Sequence, residues 1–257
     1  MKKKPLILLV NDDGILSPGL RFLIKLCKKL ARVYVVAPTQ DRSGRSHAIT
    51  VEEKITFKKI INSEFYSEYS CSGTPVDCVK LAINRICKEK PDLCISGINH
   101  GANYSISTLY SATLHAAIEG TILGVNSIAI SHLNYSNKID MYSYQDYLLS
   151  MIKYFLINKI ETGVTLNINL PDIKFDKIKG VKLCRQGKGK WIEKISSIGK
   201  ENECSITGHF LAEEDSNDTD IWALENSYVS IVPIKIDMTN YDFIKSNKKL
   251  ENELFKG

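Results

Sequence analysis

Residues 5–10 form an unbroken apolar run, Pro5-Leu6-Ile7-Leu8-Leu9-Val10. Residues 18–30 then place Leu20, Leu23, Ile24, Cys27 and Leu30 at helical spacing, with Arg21, Lys25, Lys28 and Lys29 on the opposite side. The first pattern predicts a strand buried on both faces and the second an amphipathic helix. Repeated along the chain, the two patterns predict strands at about 5–11, 32–37, 91–96 and 125–131 and helices at about 18–30, 75–88, 111–123 and 142–159. This alternation is the mark of βαβ units and a mainly parallel sheet, an α/β fold. Two helix starts carry their own signal: Ser17-Pro18 and Thr74-Pro75 each put a capping hydroxyl before a proline whose missing N–H costs nothing there.

Between the second strand and the second helix, Ile49-Val51, Ile55-Phe57 and the aromatic-rich Phe65-Tyr66-Ser67-Glu68-Tyr69 alternate with polar residues. They predict antiparallel ribbons beside the main sheet. Further strands are expected at Val164-Asn169, Gly180-Arg185 and Tyr228-Ile236. No linker or composition shift divides the 257 residues. One domain is therefore expected over 1–257, with about 180–257 as a hairpin-rich arm that packs against a second subunit.

Composition removes several classes. A chain that is 44% hydrophobic and 25% charged is an ordinary globular one. The formal charge of +5 is spread over helix faces and both ends rather than gathered into a stripe, so no DNA or RNA duplex is expected as a partner. The seven cysteines are odd in number and contain no CxxC pair, which points to buried thiols in a reducing compartment rather than to a thiolate metal site. Met1-Lys2-Lys3-Lys4 resembles the start of an export signal, but the apolar run behind it stops at Val10. No run approaches the roughly 20 apolar residues needed to cross a bilayer, and a cytoplasmic protein is the expectation.

The chemistry gathers at strand ends. Asn11-Asp12-Asp13-Gly14 follows the first strand directly. Adjacent carboxylates repel each other unless a positive charge sits between them, and a hard divalent cation is the obvious candidate; Asp-Gly alone is equally a common turn. After the second strand, Thr39-Gln40-Asp41-Arg42-Ser43-Gly44-Arg45-Ser46-His47 offers hydroxyls, arginines and a glycine able to wrap an anion. After the third, Ser96-Gly97-Ile98-Asn99-His100-Gly101-Ala102-Asn103 offers Asn99 as a neutral oxygen ligand and Asn103 as a donor to phosphate or sugar. Tyr110-Ser111-Ala112-Thr113 opens a helix whose N-terminus is a ready phosphate seat. Each segment read alone is an ordinary loop or cap. Their convergence on one edge of a parallel sheet is what points to a site.

Taken in order, Leu9-Val10-Asn11-Asp12-Asp13-Gly14 with Pro18-Gly19, Ala37-Pro38 with Arg42-Ser43-Gly44, Ser72-Gly73-Thr74-Pro75-Val76-Asp77, the segment 96–103, and Tyr110-Ser111 to Glu119-Gly120 resemble the SurE (survival protein E) family of nucleotidases. Weaker echoes follow at Leu166-Pro171, Thr219-Asp220 and Tyr228-Pro233. The resemblance implies a Rossmann-like α/β phosphatase acting on nucleoside 5′- and 3′-monophosphates, with short polyphosphate as a further substrate. It implies one Mg²⁺ or Mn²⁺ per subunit, held by Asp12, Asp13, Ser43 and Asn99, and a homodimer or homotetramer with exchanged C-terminal arms. Three positions depart from the family pattern: Ala112 where glycine is usual, Ser107 where an acid is usual, and His115 where small residues are usual and which reads as a packing or surface histidine.

On this reading Asp12 and Asp13 are the catalytic acids, and Gly44, Asn103, Ser111 and Thr113 are the phosphate donors. Whether an aspartate acts as base or as nucleophile stays open. A covalent aspartyl phosphatase of the haloacid dehalogenase type is disfavoured because its acids are spaced Asp-x-Asp. A dinucleotide oxidoreductase is disfavoured because no Gly-x-Gly-x-x-Gly follows the first strand. A non-catalytic nucleotide-binding module is the remaining alternative.

Overall fold

The computed structural model describes residues 4–135, 140–199 and 202–254. Met1 to Lys3, part of the signal-like start, lie outside the described residues. The chain runs through β1 (Leu6–Val10), α1 (Pro18–Leu30), β2 (Arg32–Pro38), β3 (Phe57–Asn62), β4 (Tyr66–Cys71), α2 (Pro75–Leu81), β5 (Leu93–His100), α3 (Ala112–Ile122), β6 (Ser127–His132), α4 (Gln145–Ile157) and β7 (Val164–Leu170). It ends with β8 (Gly180–Leu183), β9 (Gly189–Ser197), β10 (Cys204–Ala212), α5 (Asp220–Glu225), β11 (Tyr228–Lys235), α6 (Tyr241–Ser246) and α7 (Leu250–Leu254).

Nine strands form one sheet in the order β3-β4-β2-β1-β5-β6-β7-β11-β8. From β4 to β7 every neighbouring pair is parallel; β3 and β11 run against their neighbours β4 and β7. All five residues of β1 are buried. Ile7 and Leu9 enter the layer that holds α1 and α4, while Leu8 and Val10 enter the one that holds α2. An apolar run without alternation is what a strand covered on both faces requires. The expected α/β architecture is therefore present, as a mainly parallel sheet flanked by helices.

From β1 the chain moves first toward β2 and β4, then crosses back to β5, β6 and β7. The carboxyl ends of β1 and β5 are thus the place where the strand order reverses, the crevice in which open α/β sheets bind ligands. Gly19 shows how tightly this edge is built. A Cβ at that position would lie 2.1 Å from the Ile98 carbonyl oxygen of β5, a backbone atom that cannot rotate away. Gly19→Ala should accordingly cost about 2–3 kcal/mol through overpacking, measured as a lower urea midpoint; an unchanged midpoint would show that the two elements separate without penalty.

Several expected boundaries moved. β5 continues to His100 instead of ending near residue 96, because Ser96, Asn99 and His100 still pair with Ala129, Ser131 and His132 across an irregularity at Gly97. No strand forms at Ile49-Val51. Thr50 instead donates its N–H (3.1 Å) and its hydroxyl (2.6 Å) to Asp77, the residue that completes the capping box of α2. The antiparallel ribbon is β3 with β4, and it lies within the main sheet as its edge rather than beside it. Helix α2 is shorter than expected and widens into a π turn over Ala82–Ile86.

In the C-terminal part, β9 and β10 make a long antiparallel hairpin outside the main sheet. Of the other segments expected in the arm, β11 is inserted between β7 and β8, with Val229, Ser230 and Val232 buried, and so belongs to the main sheet. The described chain ends in two short, exposed helices rather than in further hairpins. No helix among the described residues is long and apolar enough to cross a membrane.

Candidate active site

The turn after β1 is fixed from beneath. Asn11, fully buried, donates its amide to the Gly14 carbonyl (2.9 Å) and to Ser17 Oγ (2.8 Å), and Ser17 accepts the Leu20 N–H as the cap of α1. Gly14 takes φ +99°, which a side chain would resist. The Arg42 N–H donates to the Asp12 carbonyl at 2.8 Å, and the Ile15 N–H to Pro38 at 2.8 Å, so the loop after β2 is tied to the aspartates.

Asp12 is 3% exposed and accepts the Thr113 hydroxyl at Oδ1. Asp13 is partly buried, and its Oδ2 is shielded from solvent without a hydrogen-bond partner. His100 Nδ1 is 3.6 Å from that oxygen, too far for a bond. Burial, more than any other cause, pushes Asp12 up to about 6. Burial and then the charges of Asp12 and Asp41 push Asp13 up to about 7. These shifts describe a pair of carboxylates in want of a positive charge.

Ser43 donates both its N–H (2.7 Å) and its hydroxyl (2.6 Å) to Asp41 Oδ1, so its oxygen lone pairs remain free to accept or ligate. Asn99 turns its amide nitrogen to the Gly101 carbonyl (2.9 Å), leaving Oδ1 as the atom for a ligand. Both line the same cavity as Asp12 and Asp13, a space of about 810 Å³. Among the described residues no three His, Cys, Asp or Glu side chains are grouped as a metal cage. A cation here would rest on two carboxylates and neutral oxygens, a donor set suited to a hard ion that keeps some of its waters. The orphaned Asp13 oxygen fits such an ion.

The expected phosphate donors divide. Gly44 lies on the cavity wall at φ +69° with open space where a Cβ would be. Ser111, also on the wall, caps α3 by accepting the Leu114 N–H at 3.0 Å and keeps its own O–H to donate. Asn103 gives one amide hydrogen to Ser131 Oγ (2.7 Å), and its backbone is held by Asn167 and Asn169, which lie in the echo segment 166–171. Thr113 requires correction. It is fully buried and does not line the cavity, and its hydroxyl is committed to Asp12. It positions a carboxylate instead of meeting a phosphate.

Sequence reasoning passes over Asp41, whose charge acts on both aspartates, and also Tyr135 and Trp191, all on the cavity wall together with Ser107. Asp41 stands two residues before Ser43, in the loop whose hydroxyls, arginines and glycine point to an anion seat. Ser107, one of the departures from the family pattern, accepts the Trp191 indole N–H at 3.3 Å. Ala112 is fully buried at the start of α3. His115 faces a second, more apolar groove, with its Nδ1 2.8 Å from the Ser111 carbonyl and its ring edge-on to His47. Asp220, from the echo Thr219-Asp220, is fully buried and accepts the N–H groups of Ser105 (2.9 Å), Gly187 (2.8 Å) and Ile221 (2.9 Å). It thereby ties the turn before α3 to the root of the hairpin.

The family model described as "Survival protein SurE" matches residues 7–193. The protein named 5'-nucleotidase SurE of Christiangramia forsetii is 45% identical over 250 residues, covering 95% of this chain and 96% of its own. The one so named in Flavobacterium johnsoniae is 46% identical over 242 residues, covering 92% and 93%. The crystal structure of the SurE protein from Aquifex aeolicus superposes with a TM-score of 0.82 at 38% identity, over 96% of this chain and all of that one. Matched in sequence along nearly its whole length and in the path of its backbone, the chain belongs to the SurE family.

Proposed function

We propose that this chain is a metal-dependent phosphomonoesterase that hydrolyses nucleoside 5′- and 3′-monophosphates to nucleoside and phosphate, with short polyphosphate as a further substrate. The observation that carries the reading is the Asp12-Asp13 pair: two carboxylates, one with an unpartnered buried oxygen, at the floor of a cavity of about 810 Å³ where the strand order reverses. That volume lies within the range of small-molecule sites. The relatives named 5'-nucleotidase SurE support the nucleotide as substrate.

Asp12, Asp13, Ser43 and Asn99 would hold one Mg²⁺ or Mn²⁺ per subunit. The chemistry such an ion supplies when bound is Lewis-acid polarisation of the phosphoryl group. The protein's own work is positioning. The Ser111 hydroxyl, the Gly44 N–H and the remaining amide hydrogen of Asn103 offer donors to phosphoryl oxygens. Thr113, by donating to Asp12 Oδ1, fixes the orientation of that carboxylate and favours its charged form.

Phosphate release from 5′-AMP, 5′-GMP and 3′-AMP, with Mn²⁺, with Mg²⁺ and with a chelator, tests the reading. Release with metal and none with chelator is expected. No release with any metal, alongside retained nucleotide binding, would leave only a binding module.

The cytoplasm is the proposed location, supported by seven cysteines that are all free. A homodimer or homotetramer is the proposed assembly. Its support is the second groove of about 810 Å³, walled by Leu114, Ile118, Val232 and Ile234, together with the exposed Tyr241, Phe243 and Ile244 of α6. The molar mass in solution checks it.

A further inference from the structure

Resting on that reading of the cavity, we propose that Trp191 is the base-stacking residue for the nucleoside, carried to the site by the β9–β10 hairpin. The phosphoryl end is defined by the aspartates and the start of α3. A phosphate fills only a small part of about 810 Å³, and the rest of the wall includes Tyr110, Tyr135 and Trp191.

The hairpin has little packing reason to bring an indole there. Its strands are mostly exposed, with Ile195 at 70% and Ile206 at 69%. Trp191 nonetheless sits at the cavity with its orientation settled from two sides. Its N–H donates to Ser107 Oγ at 3.3 Å. Its cross-strand partner Phe210 meets it edge-on, with ring centroids 6.3 Å apart. Phe210 is in turn braced edge-on by Tyr104 at 5.2 Å. It is also pressed on Gly189, where a Cβ would come within 2.2 Å of its ring.

The indole is thus held in place, satisfied at its one polar atom and still 36% exposed. The other tryptophan, Trp222, is already stacked on Tyr228 at 6.1 Å. A fixed aromatic ring with exposed area beside a phosphate seat matches the flat, apolar faces of a nucleobase. Stacking of that kind tolerates any base, because every base offers a π face.

Two measurements test this. In steady-state kinetics with 5′-AMP and ribose 5-phosphate, Trp191→Ala should raise KM for 5′-AMP about 10- to 100-fold, leave kcat within about threefold and leave ribose 5-phosphate unaffected, while Trp191→Phe retains most of the affinity. Equal losses on both substrates would mean that the indole only props the hairpin, and the proposal falls. In a Trp222→Phe background, adenosine should quench the fluorescence of Trp191 and ribose 5-phosphate should not; absence of quenching by adenosine also overturns it. If the unsubstituted protein hydrolyses neither phosphate ester, the phosphatase reading fails by itself, and the adenosine titration still decides the role of Trp191.

Discussion

Replacing Asp12 by asparagine is expected to lower phosphate release at least ~100-fold at saturating Mn²⁺, because it removes both a negative charge and a ligand from the centre that must neutralise the phosphoryl group. The substitution keeps the volume of the side chain, and an amide oxygen can still accept the Thr113 hydroxyl. The fold should therefore persist. Without metal, the variant should melt no lower than the parent, since the carboxylate it removes is fully buried and held up to about 6 by the cost of desolvation. Loss of turnover with an intact melting profile separates a ligand from a structural acid. Near-normal turnover would remove Asp12 from the mechanism.

The contribution of the Asp12-Asp13 pair to the stability of the metal-free protein should fall as pH rises from about 4 to about 7, and a divalent cation should restore it only toward the upper end. In the folded state Asp12 holds its proton to about 6 and Asp13 to about 7, whereas both release it near the ordinary value of 3.8 when unfolded. Between those limits the pair binds more protons folded than unfolded, so its own contribution shifts toward unfolding with each step up in pH. The penalty is complete above the folded-state values and absent below the unfolded one. Melting temperatures of chelated protein at pH 5 and pH 8, each repeated with Mn²⁺, check this. A gain with Mn²⁺ at pH 8, little gain at pH 5 and a flatter pH slope in Asp13→Asn are expected. Identical slopes in parent and variant would show that the pair does not titrate with folding.

The parts of the molecule legible in the sequence are those where burial leaves a period. Helix α1 is buried on one side only, so Leu20, Leu23, Ile24 and Cys27 mark its face, while β1, covered on both sides, appears as an uninterrupted apolar run. The hairpin β9–β10 is exposed on both faces, so no alternation announced its strands. The end of β5 was hidden for another reason. Gly97, Asn99 and His100 carry the composition of a turn, and only their pairing with β6 makes them strand.

The same limit applies to the candidate site. Asp12, Asp13, Ser43 and Asn99 stand at adjacent strand ends, and the structure gathers all four on one cavity wall. The place of Thr113 is not legible, because a hydroxyl in the first turn of a helix looks the same in sequence whether it meets a ligand or, as here, a carboxylate behind it. Trp191 lies far along the chain from the aspartates, on an element with no burial pattern. Its place at the cavity follows from tertiary contacts alone.

Asp220 gives the hairpin a fixed hinge pin. One carboxylate grips backbone groups at Ser105 and Gly187, and the Ser105 hydroxyl donates to the Gly187 carbonyl at 2.8 Å, so the root of the hairpin and the turn that leads into α3 are fastened to each other directly. The hairpin that carries Trp191 and the loop that carries Ser107, both on the cavity wall, therefore share one anchored joint.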